Sequence, residues 1–257
     1  MSSFLLAAAA TLVFCAPGYP GAAGDAQPFV DQFANAGAAT AGWAAGSLTA
    51  VYDPTEEGGL RKLGGADAVL AFVPYAFFVQ HGKELHLAPL AQADVTGVGI
   101  VERWTLVAKA GTAAQASELA GYTLLSSAGY APDFVRRSAL ASFALPPDVK
   151  IESNGQMLAA LRRIVAGERV VALLDQTQAT ALPTLPFAAQ LRSVTQSAAL
   201  PVALIAVVDA RLPAPRAKSL QAALLKMGKT PADADTLAQL KLRGFVLPQL
   251  PAPANAP

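Results

Sequence analysis

What most constrains this chain is a repeated order of segments: a short apolar run, a loop holding proline, glycine, serine or aspartate, then a stretch with helical spacing. "TLVFCA" is closed by "PGYPG" and followed by "DAQPFVDQFANAGAATA", where Asp25 can cap a helix and Pro28 suits a first turn. "LTAVY" leads to "PTEEGGLRKL", and "DAVLAFV" leads through Pro74 to the aromatic segment "YAFFVQHG". Further on, "YTLLSS" precedes "APDFVRRSALASFAL", which reads as one helix. "GQMLAALRRIVAGE" places Met157, Leu158, Leu161, Ile164 and Val165 at helical spacing and ends at Gly167 before the strand "RVVALLD". Repeated βα units predict a mostly parallel sheet. The strand "LPVALIAVV" and the helices "PRAKSLQAALLKM" and "PADADTLAQLKL" complete the chain. The order predicts an α/β protein of two lobes with a ligand cleft between them and two crossover connections. Residues 11–107 and 193–250 are expected in lobe 1, 108–192 in lobe 2, and 251–257 in a fraying tail.

Composition narrows the classes. With 257 residues, 53% hydrophobic and 14% charged, the chain can bury one large core or two modest ones. Nineteen basic against eighteen acidic residues give a net charge of +1, so nothing marks a nucleic-acid surface. One cysteine allows no internal disulfide, and two histidines without a cysteine cluster form no zinc pattern; no metal or cofactor is expected. The apolar run from Phe4 to Cys15 is too short to span a bilayer. It resembles the core of an export signal, with Ala8 and Ala10 before a cut at Thr11, although a basic leader is missing. Residues 1–10 are therefore expected to be the remnant of such a signal, and Cys15 a buried strand thiol. Acylation of Cys15 would want a small residue before it, where Phe14 stands.

In an open α/β sheet, ligands lie beyond the carboxyl ends of the strands, where helix N-termini present unpaired N–H groups. Four junctions have that character: Gly18 to Gly21, Val73 to Tyr75, Ser126 to Tyr130 and Asp175 to Gln178. In "SSAGYAPDF", Ser126 and Ser127 offer hydroxyls, Gly129 lets a backbone approach, and the following helix would aim amides at an oxyanion or carboxylate; the serines serve equally well as caps. Tyr75 and Tyr130 can pack on an organic body or fill core. Asp175 would repel a fully ionised anion yet accept a proton or an ammonium, and it also reads as a helix cap. Arg136 and Arg137 read as solvated or paired with acids, and His81 and His86 as structural or surface residues. No nucleophile or base motif surrounds Cys15 or either histidine, so catalysis is not expected. The alternatives are an enzyme on a bilobal scaffold, of transferase or pyrimidine-precursor synthase type, and a sensory binding module.

From about Thr11 to Leu247, the stretches "GYPGAAGDAQPFVDQFA", "ADAVLAFVPYAFFVQHGKELHLAPLAQ", "ELAGYTLLSSAGYAPDFV", "MLAALRRIVAGERVVALLDQTQ" and "LKLRGFV" resemble the substrate-binding components of ABC transporters of the phosphate, phosphite and phosphonate type. The resemblance implies the type 2 periplasmic binding fold and capture of a small anion or zwitterion between two lobes. It also implies a monomer in the periplasm that delivers its solute to a membrane permease. Carried onto this chain, it implies binding roles for Tyr19, Gly21, Pro74, Tyr75, Ser126, Ser127, Gly129, Tyr130 and Asp175. Loops that hold phosphonate typically supply several hydroxyls, whereas "PGYPG" and "FVPY" offer tyrosine and backbone groups, which leaves an apolar or organic solute open.

Overall fold

A computed structural model of the protein describes residues 10–18, 23–112 and 115–251. The first half runs β1 (Ala10–Cys15), α1 (Ala23–Thr40), β2 (Leu48–Asp53), α2 (Glu56–Leu63), β3 (Ala68–Pro74), α3 (Tyr75–His81), β4 (Leu87–Val95), β5 (Val101–Glu102), β6 (Thr105–Lys109) and β7 (Thr123–Ser126). It continues through α4 (Pro132–Phe134), β8 (Lys150–Ser153), α5 (Met157–Val165), β9 (Val170–Leu174), α6 (Gln176–Ala181) and β10 (Leu191–Gln196). Then come β11 (Leu200–Pro201), β12 (Ala203–Val208), α7 (Ala214–Leu224), α8 (Pro231–Gln239) and β13 (Leu242–Val246).

Two sheets result, a six-stranded one ordered β13-β4-β12-β3-β1-β2 and a five-stranded one ordered β10-β6-β9-β7-β8. Both are covered on both faces, which explains the unbroken apolar runs in the sequence. In β1 the alternation of side chains sends Leu12 and Phe14 to the face holding Phe33, Phe72 and Phe245, and Val13 and Cys15 to the face holding Leu63 and Phe77. In the second sheet, Leu106, Leu124, Val171 and Leu173 face Phe134 and Val135, while Val107, Leu125, Ala172 and Leu174 face Met157, Leu161 and Ile164 of α5. Helix α5 is thus held by most of the apolar stripe visible in its sequence, while Leu158, expected in that stripe, is exposed.

The sheets are mixed, not mostly parallel. Strands β2, β1 and β3 are parallel, as are β8, β7 and β9, but β12 runs antiparallel to β3 and β4, and β6 antiparallel to β9 and β10. The reversal follows from the crossings, since β6 and β12 each enter a sheet directly from the other one. The chain changes sheet between Val95 and Thr105 and returns between Gln196 and Ala203, so Thr105 to Val107, expected in lobe 1, pair in the second sheet. The helix expected over "APDFVRRSALASFAL" is also shorter. After α4 it widens into a π turn over Val135–Ala139, and the Arg136 guanidinium then donates to the carbonyls of Pro146 and Val149, shaping the irregular segment that follows. Arg136 is therefore neither free in solvent nor paired with an acid, while Arg137 lies 3.7 Å from Asp133 at the surface.

Strand β1 begins at Ala10, and Cys15 is fully buried. Burial above all, with Asp53 and Glu56 adding to it, pushes its thiol up to about 12, which makes it an inert packing group. Residues 1–9 of the expected signal remnant and 252–257 of the tail lie outside the described residues. No described helix is long and apolar enough to cross a membrane.

Candidate functional site

The carboxyl ends of β1, β3, β7 and β9 converge on a cavity of about 560 Å³ between the two sheets. The first sheet contributes Pro17, Gly18, Pro74 and Tyr75; the second contributes Ser127, Tyr130, Gln156 and Asp175. Glu102, Trp104, Pro201 and Val202, from the two crossing segments, complete the wall. Those segments are paired as an antiparallel ribbon of β5 with β11. Ser197 N–H donates to Trp104 O at 2.8 Å, and Trp104 N–H to Ser197 Oγ at 2.9 Å. Tyr75 N–H donates to Val202 O at 2.9 Å, tying α3 to the ribbon.

One side of the cavity is aromatic. Phe134 meets Trp104 edge-on at 5.3 Å and Tyr75 edge-on at 6.2 Å between centroids, a chain of contacts that links both lobes and the ribbon. The lobes also touch at Gly18. A Cβ there would lie 2.4 Å from Ser127 O, and its φ of +83° is one that side chains resist, so glycine is required on both counts.

The turn after β7 divides the residues the sequence put forward. Ser127 and Tyr130 line the cavity. Ser126 does not: it is fully buried, donates to Leu173 O at 2.8 Å and accepts the Ala128 N–H at 3.2 Å. Gly129 also turns away, packed so tightly on the backbone of Glu152 and Ser153 that a Cβ would overlap it. Of the amides expected to serve a ligand, Pro132 has none to give and Asp133 N–H donates to Gln80 Oε1 at 3.0 Å.

The turn after β9 is built from carboxylates. Asp175 caps α6, accepting the Gln178 N–H at 2.8 Å, and the Gln178 side chain accepts the Asp175 N–H in return. Glu102 reaches the same helix end, where the Gln176 backbone and the Trp104 side chain favour its ionised form. Burial, then the neighbouring charge of Asp175, pushes the Glu102 carboxyl up to about 8; burial raises Asp175 as well.

Of the sequence-derived residues, the cavity gathers Pro74, Tyr75, Ser127, Tyr130 and Asp175, while Tyr19 and Gly21 lie outside the described residues. Sequence reasoning missed Glu102, Trp104 and Gln156. A glutamate and a tryptophan held together in "VERW" carry some signal, but only the ribbon's fold buries them. His81 pairs with Glu56 at 2.7 Å and exposed His86 with Asp209 at 3.2 Å, and neither lines the cavity. Among the described residues no cluster of His, Cys, Asp and Glu could hold a metal ion.

Two sheets joined by a paired ribbon, with a solute-sized cavity at the strand ends, define a bilobal binding protein. The family model for "ABC transporter, phosphonate, periplasmic substrate-binding protein" matches residues 71–250, and the chain belongs to that family. XAC2383 from Xanthomonas citri, solved with ATP bound, is 16% identical, with 95% of this chain and 92% of that one covered at a TM-score of 0.68. A binding protein component of an ABC phosphonate transporter from Pseudomonas aeruginosa is 14% identical over 94% and 82% of the two chains, at a TM-score of 0.62. PhnD1 from Prochlorococcus marinus, solved with methylphosphonate, is 11% identical over 93% of each chain, at a TM-score of 0.58. These likenesses establish the type 2 periplasmic binding fold. No curated protein matches the chain.

Proposed function

We propose that this substrate-binding protein is exported to the periplasm, works there as a non-catalytic monomer, and closes its lobes over a small solute for delivery to a membrane permease. One lobe is built on the six-stranded sheet and the other, with residues 108–192 as its bulk, on the five-stranded sheet. The observation that carries this reading is the cavity itself, whose wall is shared by both lobes and the ribbon between them. Pro74, Tyr75, Ser127, Tyr130 and Asp175 contact the solute in this reading, as do Glu102, Trp104 and Gln156. Phosphonate is the solute the family description names, and a zwitterion suits this wall better than a plain anion because two carboxylates stand in it.

Tryptophan fluorescence tests the proposal. The chain has two tryptophans, Trp104 in the cavity wall and Trp43, which stacks on Arg216 and is outside the cavity lining. A Trp43→Phe variant reports from Trp104 alone, and a panel of phosphonates, amino acids and amines is expected to contain one that changes its emission saturably and is recovered chemically unchanged. A flat response across the panel, or conversion of the bound compound, would contradict solute capture.

A further inference from the structure

We propose that the cavity reads a positively charged nitrogen, with Glu102 and Asp175 together receiving the N–H donors of an organic ammonium group, so that a small amine binds without any oxyanion. This rests on the reading of the cavity as the solute site and names its chemistry.

Four observations lead there. First, no Lys, Arg or His lines the cavity among the described residues, and Arg103, which lies between Glu102 and Trp104 in the chain, donates to Ser197 O and borders a separate groove of about 530 Å³. Second, two of the backbone donors that would hold an anion on this side are already taken at short distance. Gln178 N–H goes to Asp175 at 2.8 Å and Asp133 N–H to Gln80 at 3.0 Å. Third, an ionised carboxylate has about four acceptor positions. Asp175 receives the Gln178 N–H on Oδ1, and the Gln176 backbone and Trp104 side chain stand against the Glu102 carboxylate, so each keeps acceptor capacity for a ligand. Two close carboxylates repel, and a cation between them removes that cost. Fourth, Trp104, Phe134 and Tyr75 stand beside the pair, and aromatic rings favour cations in a dry site.

The arrangement also has a conformational consequence. Glu102 belongs to the ribbon and Asp175 to the second lobe, so one ammonium held by both fixes the angle between them. The titratable groups that line the cavity with Glu102 are Asp175, Tyr75 and Tyr130, none of which supplies a positive charge.

Thermal unfolding at about pH 8 with butylamine, putrescine, choline, methylphosphonate and inorganic phosphate tests the inference. Butylamine or putrescine is expected to raise the melting temperature. Glu102→Gln, whose unliganded melting temperature should not fall below that of the parent protein, is expected to abolish the shift. Asp175→Asn retains a helix cap and is expected to weaken amine binding at least tenfold, which keeps the test alive should the first variant fold poorly. Choline matching butylamine would overturn the role of the N–H donors. A response to methylphosphonate or phosphate with silent amines would overturn the ammonium reading and leave solute capture standing. Silence toward every probe here and in the Trp104 titration would overturn both.

Discussion

The turns after β7 and β9 leave neighbouring parallel strands of one sheet and lead to helices bordering the same cavity, yet they are held by opposite means. The first is anchored by packing: Phe134 is buried against Trp104 and Tyr75. The second has no buried residue in its helix, and α6 is held by Asp175 and Glu102 at its N-terminus. A strand-to-helix junction is therefore not an anion site by virtue of its shape. What matters is whether its amides are free, and here Asp133 N–H in the first turn and Gln178 N–H in the second go to the protein's own acceptors.

Removing the apolar anchor should have the largest effect. Phe134→Ala is expected to cost about 3–5 kcal/mol of stability in urea unfolding. A much smaller loss would mean that the first turn does not depend on packing.

The carboxylate turn should show itself through pH. The Glu102 carboxyl sits at about 8 in the folded protein against an ordinary 4.5. The folded state therefore binds more protons than the unfolded state between those values, and stability falls as pH rises through that window. Glu102→Gln has no such slope, so its stability advantage over the parent should grow from about pH 5 to about pH 9. A constant difference would show that Glu102 titrates normally.

The two adjacent serines sharpen the contrast further. Ser126→Ala breaks a buried bond to Leu173 O and should cost about 1–3 kcal/mol of stability. Ser127→Ala should leave stability unchanged. Equal costs for the two would contradict the division between a structural hydroxyl and a cavity hydroxyl.

The smallest effect is at the cap: Asp175→Ala should cost about 0.5–2 kcal/mol, seen as faster hydrogen exchange at Thr177 and Gln178. Unchanged protection would show that the cap does not hold α6.

The sequence made the strands with continuous apolar runs legible, because β1, β3, β7, β9 and β12 are buried on both faces and close with distinct turn residues. It hid β8 ("KIES"), β10 ("LRSVTQ") and β13 ("LRGFV"), which lie at sheet edges, are short and carry charged or polar side chains. The site was legible where it sits at those junctions, as with Tyr75, Ser127 and Asp175. It was illegible where tertiary folding creates it, since Glu102 looks solvated until the ribbon carries it to the end of α6. Ser126 and Ser127 could have been separated by the alternation along β7, which turns successive side chains to opposite faces.

The most direct test of the account is calorimetric titration of the protein with its best amine probe at about pH 8, in two buffers of different ionisation enthalpy. A bound ammonium favours ionised Glu102, so the account predicts net release of protons to the buffer; net uptake, or no exchange at all, would contradict it.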